Sequence, residues 1–167
     1  MTISMYQASV PAFIRALNNL AVILEKGAAH AQARKIEEAV LLSGRLYPDM
    51  FPLARQVQIA TDTARSGAGR LAGVEFPAYE DKEATFQELI QRIRNTVAYL
   101  ETLQPAQIDG GEDKTISWQS RSSTKSMQAL PYLMNHLLPN IHFHVTTAYG
   151  ILRHNGVEVG KKDFLGP

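Results

Sequence analysis

Apolar residues recur at spacings of three and four in four stretches of the chain, which places each set on one face of a helix. In the first, Val10, Phe13, Leu17, Leu20 and Leu24 form the stripe. Pro11 removes an amide donor and belongs in an early turn or at a kink. Gly27 and the small residues after it predict a stop near Lys26, although the Ala-rich sequence beyond could carry on as a short helix. In the second stretch the stripe is Leu53, Val57, Ala60 and Ala64, with Asp49 ahead as N-cap and Pro52 in the first turn. Gly67, Gly69 and Gly73 weaken and end it. The third stretch is the clearest: Phe86, Leu89, Ile90, Ile93, Val97 and Leu100 repeat from about Asp81 to Leu103, and Pro105 lies just past the end. The fourth runs from near Pro139 to about Asn155 on Ile141, Val145, Ala148, Ile151 and Leu152. Arg153 and His154 suit the negative end of its dipole, and Gly156 stands where a left-handed residue is wanted.

Between the third and fourth stretches the pattern changes. Gly110 and Gly111 precede KTISWQSRSSTKSMQ, where Ile116 and Trp118 alternate with polar residues. A short β-hairpin or a long ordered loop both fit. Four amphipathic helices with one long crossover, from about Ile108 to Leu130, predict an all-α four-helix bundle in one domain spanning 1–167. No repeat or linker interrupts it.

Composition narrows the function classes. The chain has 167 residues, 45% hydrophobic and 20% charged, ordinary for a globular protein. Seventeen basic and sixteen acidic residues give a net charge of +1, with no basic stripe interleaved with aromatics. A nucleic-acid partner is therefore not expected. The absence of cysteine excludes disulfides and thiolate chemistry and fits a reducing cytoplasm. MTISMYQASVPAF does not read as a signal peptide, and no apolar run approaches about 18 residues, so no membrane association is expected.

Bundles hold their sites inside, so inward polar residues are the candidates. His144 shares a helical line with Asn140 and Ala148, flanked by Ile141, Val145 and Ile151. It reads either as a core histidine satisfied by one hydrogen bond or as part of a pocket. His142 falls about 200° away on the same helix. His136 precedes Pro139 and has no fixed direction, and His154 lies about 15 Å further along. Neither H-E-x-x-H nor H-x-x-x-H occurs. Gln56 flanks the second stripe and could face either the interior or water, whereas Gln58 points the other way. Ser122 and Ser123 lack a G-x-S-x-G setting, and the GKKD run at Gly160 lacks the remainder of a phosphate loop. The acid pairs Glu37–Glu38 and Glu80–Asp81 read as exposed.

The segments LYPDMFPLARQVQIATDTA, RLAGVEFP and FHVTTAYGILRHNGVEVGKKDFLG carry a resemblance over essentially the whole chain. It is similar to the DinB-like superfamily of bacterial four-helix bundles, and within it to a branch named only as a domain of unknown function. The resemblance implies a divalent metal held by three histidines, one from the second helix and two, four residues apart, from the last. His144 matches one of that pair, Asn140 stands at the other, and the second-helix position falls near Gln56. One imidazole and two amides are a poor ligand set for zinc or nickel, so no resident metal or other cofactor is expected. Superfamily members include thiol-dependent transferases, and many are homodimers. Three readings follow, in this order: a small-molecule-binding bundle with a degenerate metal site; a metal-dependent thiol transferase whose site is completed by Asp49 or His136; and a structural or partner-binding dimer.

Overall fold

In the computed structural model, which describes residues 3–120 and 123–167, the chain folds as four long helices with a small hairpin inserted late. Ser122, noted above, lies outside the described residues. Helix α1 (Met5–Arg34) opens on a reciprocal cap between Ser4 and Gln7 and ends at Lys35 in the left-handed conformation. It runs eight residues past the expected stop at Lys26. Gly27 is buried rather than terminal: a Cβ there would lie 2.9 Å from Cε1 of Phe86. Pro11 is carried within the helix on its exposed face. A short α2 (Glu38–Leu42) follows.

Helix α3 (Leu53–Ala72) starts at Pro52, not at Asp49, which is exposed in the preceding turn. Pro52 is extended, and its carbonyl accepts from the Gln56 amide at 3.0 Å, so the proline sets the first turn. Gly67 and Gly69 do not interrupt α3. They let Leu137 and Phe76 approach, since a Cβ would lie 2.5 and 2.6 Å from those side chains. Gly73 ends the helix, with φ of 68°.

Helix α4 (Phe86–Glu101) begins later than Asp81, because Thr85 and Glu88 form its capping box. Glu38, expected to be exposed, is half-buried and accepts from the Phe86 amide at 2.8 Å. After α5 (Pro105–Ile108) come β1 (Thr115–Ser120) and β2 (Ser123–Gln128), antiparallel, with Trp118 opposite Lys125. Ile116 is the hairpin's buried anchor.

The last long helix begins well before Pro139. It comprises α6 (Ala129–Tyr132), a π-turn over Leu133–Leu137 and α7 (Leu138–His154). Pro139 has no amide to give, and in the turn before it the Leu138 amide reaches back five residues to Leu133. Helix α8 (Lys161–Leu165) folds the tail onto α1.

Helix α3 packs on α4 and α7, and α1 on the same two. Phe13, Leu17, Val57, Ala60, Leu89, Ile93, Val145 and Ala148 are all buried in the shared core. Among the described residues no helix is long and apolar enough to cross a membrane.

Candidate functional site

The α3–α7 seam brings His144 and Gln56 together. His144 is 8% exposed and Gln56 is 1% exposed. The His144 ring nitrogen Nδ1 lies 2.7 Å from Gln56 Oε1, while Gln56 Nε2 donates to the Phe51 carbonyl at 3.0 Å. The second bond fixes the amide orientation, so the oxygen faces the histidine and Nδ1–H must donate. The remaining nitrogen, Nε2, is then a lone-pair acceptor. It has no partner among the described residues. Among the same residues the one sealed, unpaired side-chain N or O is Arg65 Nε, so His144 Nε2 reaches solvent.

Burial, with the nearby Arg55 guanidinium adding to it, pushes the His144 pKa down to about 4. The imidazole is therefore neutral at physiological pH. The unfolded chain takes up this proton near 6.5 and the folded chain near 4, so stability is full above 6.5 and falls as pH drops toward 4. His144→Gln should flatten acid unfolding curves over that window, by at most about 3 kcal/mol.

The other candidates are placed differently. Asn140 is half-buried one turn before His144 and makes no side-chain hydrogen bond among the described residues. His142 is exposed. His136 lies in the π-turn, on the order of 12 Å along the helix from His144, stacks on Tyr132 and meets the Trp118 ring at a tilt. Asp49 is exposed in its turn. His136 is too far along the helix to complete the His144 site.

Residues 5–165 match the family model DUF1993, a domain of unknown function. The chain belongs to the DUF1993 family. It is also similar to a DinB family member from Shewanella denitrificans, whose crystal structure at 1.83 Å superposes with a TM-score of 0.89. The two are 45% identical over 98% of this chain and 92% of that one. No curated protein matches the chain.

The DinB-like metal site does not fit this DUF1993 chain. Its donors would be one imidazole, whose Nδ1 is already engaged, and the amides of Gln56 and Asn140. Among the described residues no three His, Cys, Asp or Glu side chains are grouped to hold an ion. Neutral amides are weak ligands for zinc or nickel.

One polar cluster of the DUF1993 fold escaped the sequence reading. Residues 75–84 cross the α3–α4 seam as a strap held by side chains. Arg92, 4% exposed, donates to Thr61 Oγ1 (2.8 Å), the Glu80 carbonyl (3.2 Å), Glu83 (2.9 Å) and Asp62 (2.7 Å), and pairs with Asp81 at 3.0 Å. Arg65 donates to Asp62 at 2.8 Å and to the Pro77 carbonyl. The Tyr79 ring lies 4.1 Å from the Arg65 guanidinium carbon and 5.0 Å from that of Arg92. Burial opposes both charges. Glu83, Asp62 and Asp81 outweigh it at Arg92, whose pKa is raised, whereas at Arg65 burial wins. Asp81, though exposed as expected, is tied to Arg92 and Arg55. The available signal was an arginine at position 92, beside the Leu89–Ile93 stripe, where a helix of this kind should be apolar.

Proposed function

We propose that this DUF1993 protein binds a small, largely apolar molecule that presents a hydrogen-bond donor to His144 Nε2, in a pocket shared with Gln56 and Asn140 and without a resident metal. The observation that supports this is the fixed tautomer: Gln56 holds Nδ1–H, and Phe51 holds Gln56. A neutral imidazole with a committed donor and an unpartnered acceptor selects an uncharged donor over an anion. Phe143 supplies apolar surface beside it, and the Arg55 guanidinium lies near as well. Phe143 packs edge-on against the imidazole with ring centroids 5.2 Å apart and is itself 55% exposed, and Phe51 is 44% exposed.

Phenol, an uncharged donor on an apolar ring, is the test probe. It should move the ¹⁵N resonance of His144 Nε2 saturably in the native protein and not in Gln56→Leu, which releases the ring from its tautomer. Benzoate should act far more weakly. A phenol response that is absent, or unchanged in Gln56→Leu, refutes the proposal. Elemental analysis of untagged protein should show no stoichiometric zinc or nickel, and a metal lost on His144→Ala would overturn the metal-free reading. A cytoplasmic homodimer is the assembly and location that go with this reading. Light scattering that returns an 18.5 kDa species at high concentration would refute the dimer.

A further inference from the structure

A second polar cluster sits at the other end of α3, fourteen residues and about 21 Å along the axis from Gln56. Arg70 is half-buried there. Its Nη1 donates to Ser66 Oγ at 2.9 Å and to the Tyr132 hydroxyl at 3.4 Å, and its guanidinium carbon lies 5.3 Å from the centre of the Phe76 ring. The Nε–Nη2 edge has no partner among the described residues and is open to solvent. That edge is a planar two-donor fork, already oriented by the hydroxyls on the far side of the group.

Three aromatic rings form the neighbouring wall. Trp118, Tyr132 and His136 touch one another, with centroid separations of 4.8, 4.9 and 5.4 Å. Tyr132 is 1% exposed, so the wall is anchored in the core. His136 stands in the π-turn, a distortion that recurs at functional sites. Lys125 faces Trp118 across the hairpin and is exposed. Burial, then Lys125, then Arg70 hold the His136 pKa below its ordinary value. Both cations are therefore close enough for the imidazole to feel them. Neither forms an ion pair with a carboxylate among the described residues, unlike Arg65 and Arg92 in the strap.

We propose that Arg70, Lys125 and His136 form a binding site for a small oxyanion, with the Arg70 fork taking two oxygens and Lys125 neutralising the remaining charge. Positive groups without a counter-charge, set on a helix, a π-turn and a hairpin that hold one another, form a preorganised field for an anion. A multiply charged phosphoryl group suits two cations and an imidazole that can become a third better than a carboxylate does. Its arrival favours protonated His136, which then donates to it.

Trp118 is the only tryptophan of the chain, so its emission reports on the His136 ring 4.9 Å away. Inorganic phosphate, sulfate and acetate are titrated separately at constant ionic strength held with chloride. Phosphate should change Trp118 emission saturably and raise the His136 pKa, followed by NMR, by about one unit. Lys125→Gln and Arg70→Gln should each weaken binding about tenfold. Arg70→Lys should also weaken it, because the charge survives and the fork does not. Circular dichroism checks each fold, and Lys125 is exposed, so its variant remains informative if an Arg70 variant unfolds. A response to acetate as strong as to phosphate assigns the site to carboxylates; a response to phosphate and sulfate alone assigns it to phosphoryl-type anions. No saturable response to any of the three, or equal responses in native protein and Lys125→Gln, overturns the proposal.

Discussion

Arg92→Ala is expected to destabilise the protein by about 3–5 kcal/mol, the range for breaking a buried ion pair by removing one partner. The Arg92 side chain is 2% exposed, and its partners Glu83 and Asp62 are 13% and 33% exposed. Removing the guanidinium takes the donor from the Thr61 hydroxyl and the Glu80 carbonyl, and leaves Glu83 with only Gln58 and Asp62 with only Arg65. It also removes one of the two cations beside Tyr79. Residues 75–84 have no helix or strand of their own, so the loss loosens the strap, which Arg65 at the Pro77 carbonyl and Arg55 at Asp81 still tether. In a chain of this length the melting temperature should fall by on the order of 10 °C. Arg92→Lys should recover only part of this, because an ammonium cannot reach a hydroxyl, a carbonyl and three carboxylates at once. Arg94→Ala is the control: its pair with Glu25 is 3.4 Å long and more than half exposed on both sides, and the change should stay within about 0.5 kcal/mol. Urea unfolding measures all three. An Arg92→Ala midpoint near that of Arg94→Ala would show that the strap is not held by charge.

Phe86→Ala should cost about 3–5 kcal/mol, as a fully buried aromatic ring lost from a packed core does. Phe86 begins α4 and lies against Gly27 in α1, and a methyl on Gly27 would sit 2.9 and 3.1 Å from two of its ring carbons. Gly27→Ala therefore meets opposing effects. Alanine favours the helix by about 1 kcal/mol, but overpacking costs about 1–3 kcal/mol. The ring cannot retreat, because it is buried on all sides, so the net change should be destabilising. In Gly27→Ala/Phe86→Leu the smaller side chain admits the methyl, and the double variant should be more stable than the sum of the single effects. Additive effects in that cycle would show that the two residues do not share one space.

His144 and Gln56 show where the reading of the site stopped. Helical spacing could put His144 on the inward line with Asn140, and the resemblance could point that line at the region of Gln56. Neither could say which nitrogen carries the proton. That depends on a carbonyl at Phe51, five residues before Gln56 and outside the helix. The strap was hidden for a similar reason. Glu80, Asp81 and Glu83 look like an exposed acidic run, and only the packing of α3 on α4 brings Arg92 to them.

Local pattern determined the core-facing stripes, the left-handed stop at Gly73 and the capping end at Gly156. Each depends on residues within a few positions of one another, where spacing and backbone preference act directly. The tertiary structure decided the rest. Gly27, Gly67 and Gly69 continue helices they would otherwise end, because Phe86, Leu137 and Phe76 need the space. The last helix starts ten residues before Pro139 by widening into a π-turn. The His144 tautomer, the arginine-held strap and the Arg70 cluster all join residues from separate elements. Their energies come from burial and from charges meeting at a distance in sequence, which no local window contains.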